Sequence, residues 1–536
     1  MNGLTNKDVA RVFREIELLM RIVGDEDRRA RNYGRISRLI EGLDEPAVDL
    51  AAAGRLIDVR GIGPSAEAIV ADLLHNGSSS RLDALRAQVP PGLPDILRVP
   101  GLGPKRIHTL LTELGVTSLD ELRETAVDGR LAALKGFGAK MAEKVLEGIA
   151  YLDRTRARRR TADAWQIAAE LVAALGLEDR AVVAGAMRRG APIVDEIAIV
   201  AAGRPDEITV PGATLVDGVW IRERGHEPGL RIRLVKHEAL TRTFFEETGP
   251  ADHVAAVLAR PGSEASEDEI YTSRGLHFVP PERRHACDGT EPVPALVQRE
   301  DLRGLVHAHT TWSDGRLSIA DMADAAHERG YSYLGVTDHS PTAVYARGLT
   351  IDRLQLQGVE IKAFNARGGP VRVLHGTEAD ILPDGSLDYP DEVLAELDFV
   401  IASIHSVFTL DEDAMTERIL RAVRHPHVDI LGHPTGRLLL RRNGYAVDME
   451  RILIAAAEAG TAIELNANPW RLDLDPDLHA RAQELGVLVP IGPDAHSAGG
   501  MDDNEWGVLA ARHGGLEQKD VPNTLDADGF LEALRG

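Results

Sequence analysis

Apolar positions recur along this chain in two different rhythms. Val9, Phe13, Ile16, Leu19 and Met20 keep helical spacing and predict a helix; a second helix follows the break at Gly24-Asp25-Glu26. Beyond residue 303 the rhythm changes to short apolar runs around 305 and at 333–336, 371–374, 399–404, 429–432, 462–465 and 487–491. Helix-like stretches at 318–329, 448–459 and 477–485 separate several of them. Strands alternating with helices predict a parallel α/β sheet or barrel.

These runs end in side chains of metal-ligand type. His307 and His309 close the first, with Asp314 five positions on; His339, Glu378, His405, His433, Asn466, and Asp494 with His496 close later ones. In an extended segment residues two apart share a side, so His307 and His309 are expected to aim at one ion. The C-terminal strand ends of a barrel converge on one mouth. His307, His309, Asp314, His339, Glu378, His405, His433, Asp494 and His496 exceed the needs of one ion, and the set predicts a multinuclear site.

Composition sets the outer bounds. A chain of 536 residues, 44% hydrophobic and 27% charged, is globular and long enough for three or four domains. Its net charge of -23 argues against a nucleic-acid binder until it is divided: residues 1–160 balance at +3 and the acidic excess lies beyond. A single cysteine, Cys287, excludes an internal disulfide and suits a reducing cytoplasm. The polar N-terminus is not that of a signal peptide, and no apolar stretch has the length of a membrane span.

Residues 55–150 repeat a unit: an apolar helix end, Gly-apolar-Gly, then a new helix. The turns are Gly61-Ile62-Gly63, Gly101-Leu102-Gly103 and Gly136-Phe137-Gly138, with Lys105 and Lys140 just beyond the last two. Glycines let the backbone turn tightly, and amides at a following helix start can bind phosphate. The units resemble helix-hairpin-helix motifs, which grip the DNA backbone without reading sequence; a plain αα-corner is the competing reading. Arg28, Arg29, Arg31, Arg35 and Arg38 crowd the second helix as a solvated or phosphate-contacting face, and the basic run at 154–160 reads as a linker or a phosphate clamp.

Gly185-Ala-Met-Arg188-Arg189-Gly190, followed by Val194-Asp195-Glu196-Ile197-Ala198, resembles the nucleotidyltransferase signature of family X DNA polymerases. That family holds two Mg²⁺ ions on aspartates, and here those positions fall on Glu196 and Ala198. Arg233 stands where the third carboxylate is expected. One glutamate beside a guanidinium cannot assemble a two-Mg²⁺ site, so the domain is expected to have lost polymerisation and to serve packing or DNA positioning. No lysine lies between Lys7 and Lys105, which argues against a Schiff-base lyase of the kind some family members carry.

The segment from 303 resembles the PHP (polymerase and histidinol phosphatase) domain of bacterial family X polymerases. The resemblance rests on His307-x-His309, Thr337-Asp338-His339-Ser340, Gly376-Thr377-Glu378-Ala379-Asp380, Ser403-Ile404-His405-Ser406, Gly432-His433-Pro434, Glu464-Leu465-Asn466 and Asp494-Ala495-His496. It implies a distorted (β/α)₇ barrel. It also implies three ions: one on His307, His309, Glu378 and Asp494, a second bridged by Glu378 to His405 and His433, and a third on Asp314, His339 and His496. Mn²⁺ or Zn²⁺ suits such ligands, and Fe fits them too. Glu378, His405 and Asp494 are the expected catalytic centre, with Arg347 and Arg437 holding substrate phosphate or, alternatively, forming structural ion pairs.

The expected organisation is therefore multidomain: an all-α helix-hairpin-helix region (1–85 and 86–155), an α+β nucleotidyltransferase-like domain (160–290) and the PHP barrel (303–536). The function expected is a cytoplasmic metal-dependent phosphoesterase acting on DNA, a 3′-5′ exonuclease in repair. A non-catalytic DNA-binding scaffold and a small-molecule phosphatase are the alternatives.

Overall fold

A computed structural model describes residues 4–535, apart from Thr5, Asp25, Glu26, Asp44, Pro100, Arg224 and His226. The chain forms two compact units, 1–156 and 157–536. In the first, α1 (Asn6–Val23) and α2 (Asp27–Glu41) pack face to face, and the expected stripe from Val9 to Met20 is buried. Gly24 closes α1 with a left-handed φ of 86°; Asp25 and Glu26 of the expected break lie outside the described residues. One hydrophobic core runs from Val9 to Leu152, and Leu82, Leu85, Val89 and Leu93 all belong to it. The expected boundary at 85/86 therefore does not divide two cores. Residues 1–156 carry 23 Lys+Arg and 23 Asp+Glu, so the expected positive balance comes from Arg158, Arg159 and Arg160, which belong to the second unit.

Arg159 and Arg160 are not a free linker. Arg159 and Arg160 pair antiparallel with Val194 and Ile193, Arg160 grips Asp163 at 2.7 Å, and its guanidinium lies 3.4 Å above the Trp470 ring. The following domain is a mixed sheet of β1 (Ala181–Val183), β2 (Glu196–Ala202), β3 (Thr214–Val216), β4 (Val219–Arg222) and β5 (Gly229–Val235). Its order is β1-β2-β5-β4-β3, with β2 and β5 parallel. It packs on the C-terminal domain through Arg512–Glu282 at 2.7 Å and through His513, whose Nδ1 lies 2.5 Å from the Arg189 carbonyl.

The C-terminal domain is a parallel half-barrel. Strands β6 (Gly304–Ala308), β7 (Tyr333–Val336), β8 (Arg372–Asp380), β9 (Phe399–Ser403), β10 (Ile430–Leu431) and β11 (Ala462–Ile463) lie in sequential order. A further parallel pair, β12 (Leu465–Asn466) and β13 (Ile491–Gly492), continues the chain, and the segment after β13 reaches β6: Ala495 N donates to the His307 carbonyl at 3.1 Å. Most strand positions are buried on both faces, which is why these segments read as unbroken apolar runs.

Alternation is nevertheless kept. Leu305, Leu334, Val373, Val400, Leu431 and Ile463 join the large core beneath the helices. Val306, Tyr333, Leu374, Phe399, Ile401, Ile430 and Ala462 face the opposite way, against Phe530, Leu531 and Leu534 of the C-terminal helix.

Candidate metal centre

All nine expected ligands meet at the C-terminal strand ends. Glu378 sits in the middle, only 1% exposed: its Oε1 lies 2.9 Å from His433 Nε2, 3.3 Å from His405 Nε2 and 3.5 Å from His307 Nε2. Its Oε2 lies 2.9 Å from His339 Nδ1 and 3.7 Å from His309 Nε2. Asp494 Oδ1 stands 3.1 Å from His309, 3.6 Å from His307 and 3.7 Å from His496. Asp314 Oδ1 closes the open side, 3.3 Å from His496 and 3.6 Å from His339.

Strand alternation does not deliver all of these side chains. Leu305 and Ala308 both face the helices, so His307 needs a correction: the β6–β7 register shifts between Leu305 and Ala308, and His307 takes φ 64°. His433 has the parity of outward Leu431 and turns back with φ 25°. Asp494 is also left-handed, φ 54°. Such conformations cost about 1–3 kcal/mol each for a non-glycine residue and collect at functional sites. The expectation that His307 and His309 converge by simple two-residue alternation thus had the right outcome through the wrong geometry; a bulge does it.

Three buried carboxylates outside the expected ligand set orient the ligands. Glu464 accepts from His307 Nδ1 at 2.5 Å and from the His433 amide at 2.8 Å. Asp380 accepts from His405 Nδ1 at 2.5 Å. Asp338 accepts from Thr310 N, Ser313 N and Gln357 Nε2 at 2.8, 3.2 and 2.5 Å, fixing the loop that carries Asp314. Gly492 leaves room for the first pair; a Cβ there would stand 2.7 Å from Glu464 Oε1 and 2.9 Å from His307 Cβ. Each of the three acids sits one or two residues from a ligand or its neighbouring strand end, and that proximity was the available signal.

Charge is finely balanced. Burial opposes ionisation of Glu378, but His405, His307 and His339 overcome it and hold its carboxyl well below the usual range. Burial likewise disfavours the cation of His405, and Glu378 with Asp380 outweighs it, raising the ring to about 10. His309 goes the other way, down to about 4, from burial and the neighbouring His496 and His339. Among the described residues, His307 Nε2, both ring nitrogens of His309 and Glu378 Oε2 are buried without a hydrogen-bond partner. Unpaired buried nitrogen and oxygen at one point are the donor set a divalent cation takes. Among the described residues three groups lie close enough to share an ion, His309-Asp314-His339-His496, His307-His309-Glu378 and His339-Glu378-His405, so His309, His339 and Glu378 each stand in two groups.

The two arginines fare differently. Arg437 is taken up inside the protein, on Asp475 and on the Arg471 and Leu472 carbonyls, which corrects its expected place on substrate phosphate. Arg347 is exposed, its backbone left-handed at φ 59°. Arg471, not singled out in the sequence, lies with Nε 3.6 Å from Asp494.

In the middle domain Arg188 is locked on Glu267 at 2.5 Å and above the Phe244 ring, and Arg189 donates to the Thr248 carbonyl at 2.6 Å. A Cβ on Gly185 would meet Ala198 Cβ at 3.1 Å. Arg231, level with Ala198 across the parallel pair, lies 3.3 Å from Glu196; Arg233 turns to Glu247 at 2.9 Å. The guanidinium beside Glu196 is thus that of Arg231, not the expected Arg233.

In the first unit Gly61, Gly101 and Gly136 are left-handed, with φ 104°, 84° and 91°, and Ile62, Leu102 and Phe137 are buried. Gly63 and Gly103 are the N-caps of helices Pro64–Asn76 and Pro104–Leu114, whereas Gly138 already begins Gly138–Thr155. Lys105 and Lys140 are exposed. A cavity of about 640 Å³ opens at the second turn, lined by Gly101, Gly103 and Lys105 with Arg21, Arg106 and His108.

The chain is 35% identical to the DNA polymerase/3′-5′ exonuclease PolX of Bacillus subtilis over 98% of its own length and 99% of that protein. It belongs to the bacterial family X DNA polymerases that carry a PHP domain. A SAM-like helix-hairpin-helix tandem family matches residues 93–150, the second and third turns, and the PHP domain family matches 306–468. A probable phosphatase of Thermoanaerobacter sp. is 31% identical over 43% of this chain and 93% of its own, and one of Caldanaerobacter subterraneus is 33% identical over 35% and 74%. Among the described residues no helix is long and apolar enough to cross a membrane.

Proposed function

We propose that the half-barrel is a metal-dependent phosphodiesterase that removes nucleotides from DNA 3′ ends in repair, and that the middle domain has ceased to polymerise. The observation that carries the reading is the convergence of nine ligand-type side chains, with the inner atoms of His307, His309 and Glu378 buried and unpartnered. On this reading the strands close as a distorted (β/α)₇ barrel, with the Ala495–His307 hydrogen bond as its seam. The nine residues would hold up to three ions of the Mn²⁺ or Zn²⁺ class, with His309, His339 and Glu378 each belonging to two of the ligand groups.

Ions so held would make a bound water nucleophilic near neutral pH and neutralise phosphate oxygens. The chain does the rest. Glu464 and Asp380 fix the tautomers of His307 and His405 so that Nε2 faces the cleft. Arg347 and Arg471 offer guanidinium groups for substrate phosphate at the rim. The helix-hairpin-helix turns bind the DNA backbone without regard to sequence. Loss of polymerisation is supported by Ala198 and by the Arg231–Glu196 pair, which sets a cation where Mg²⁺ would have to bind.

The small-molecule phosphatase reading draws on the probable phosphatases, whose likeness covers less than half of this chain. One assay separates the readings: purified protein with Mn²⁺, Zn²⁺ or chelator, 5′-labelled primer–template DNA, and nucleotides present or absent. Metal-dependent 3′ shortening without extension is expected. Intact DNA beside rapid phosphomonoester hydrolysis would transfer the reading to the phosphatase.

A further inference from the structure

The turn between β7 and the helix Ile351–Ala366 exposes two adjacent apolar side chains, Val344 at 79% and Tyr345 at 69%. Yet the Tyr345 ring stands 6.1 Å from that of His339 and 6.4 Å from that of His405. A large ring left in water beside a buried centre gains nothing from packing.

The turn that carries it is fixed. Ala343 and Ala346 on either side are buried, and Ala346 N and Gly348 N both donate to the Ala343 carbonyl, at 3.0 and 3.1 Å. Leu349 N returns to the His339 carbonyl at 2.7 Å, and Ser340 Oγ and Thr342 N are held on Asp388 at 2.7 and 2.9 Å. At Gly348 a Cβ would fall 1.8 Å from the Ser340 carbonyl oxygen, so the turn cannot be repacked cheaply. The backbone that presents the ring is therefore fixed before any ligand arrives, so contact costs less loop-ordering entropy.

We propose that Tyr345 is the platform on which the terminal nucleobase stacks while its phosphodiester sits at the metal centre. The inference rests on the exonuclease reading and deepens it by naming what recognises the nucleotide being released. A nucleobase lies one sugar away from its phosphate, the same order of distance that separates this ring from the His339 and His405 imidazoles. Stacking needs only an aromatic face and is indifferent to base identity, which suits an enzyme that must process any sequence.

The test compares one labelled strand ending in a normal nucleotide with the same strand ending in a tetrahydrofuran residue that lacks a base. Wild-type, Tyr345→Ala and Tyr345→Phe proteins are assayed with Mn²⁺, and bound metal is measured in each. Wild type should favour the base-bearing end by about ten-fold or more in kcat/KM, mostly through KM. Tyr345→Ala should lose most of that ratio with its metal content unchanged, and Tyr345→Phe should keep it. An alanine variant that retains the full ratio, or a wild type indifferent to the base, overturns the platform. A metal-loaded wild type that leaves both ends intact overturns the exonuclease reading instead, and the two failures are told apart by that result alone.

Discussion

His307 directs Nδ1 at Glu464, 2.5 Å away, and Nε2 into the cleft, 3.5 Å from Glu378 and 3.6 Å from Asp494. Outer partners of this kind set the tautomer of a ligand and raise its basicity, and losing one lowers metal affinity about 10- to 100-fold. Glu464→Ala should therefore weaken metal binding by that order while the protein remains folded. Metal titration followed by elemental analysis checks it; unchanged occupancy at limiting metal refutes the assignment.

Glu378 approaches five histidines at once. Glu378→Ala should reduce bound metal by more than one ion per chain and abolish 3′-end degradation. DNA affinity should stay near wild type, because it is assigned to the first unit. Degradation at the wild-type rate would remove Glu378 from the site.

The proposed loss of polymerisation rests on the Arg231–Glu196 pair and is tested directly. Primer extension with Mg²⁺ or Mn²⁺ and all four nucleotides should yield no longer product. Templated extension that vanishes on Glu196→Ala would show that the centre still works.

His479 is fully buried outside the metal centre, and desolvation lowers it to about 4. The unfolded chain regains a value of about 6.5 and so binds a proton the folded chain refuses. The folded pKa is the depressed one, so this contribution is complete above pH ~6.5 and fades as pH falls toward 4, by at most about 3 kcal/mol. Denaturant unfolding with chelator at pH 7.5 and 5.0 should show His479→Leu losing less stability across that interval than wild type. Equal losses would place the acid sensitivity elsewhere.

At the second Gly-apolar-Gly turn, Lys105→Glu should weaken DNA binding equally for unrelated sequences and lower the salt slope by about 1. Fluorescence anisotropy at several salt concentrations measures both. A sequence-dependent loss would contradict backbone recognition.

The sequence by itself determined the periodicities, and with them the elements. The stripe from Val9 to Met20 could only be one face of a helix, and unbroken apolar runs between helices could only be a covered parallel sheet. It also determined the chemistry of the site, because ligand-type side chains at successive run ends are visible without coordinates. Local order along the chain carries that information: which residues are apolar, how they are spaced, and which side chains stand at the ends of the runs.

Direction and company were decided by the tertiary structure. Alternation would have turned His307 and His433 toward the helices, and only the packed sheet imposes the bulge and left-handed backbone that turn them back. Arg437 looked like a phosphate ligand until Asp475 and two carbonyls claimed it. Arg231 outranked Arg233 because strand register, not sequence distance, brings it to Glu196. Glu464 lies 157 residues from the histidine it orients. Such pairings are set by how strands and loops meet at the C-terminal strand ends of the half-barrel, a long-range property to which a single stretch of sequence has no access.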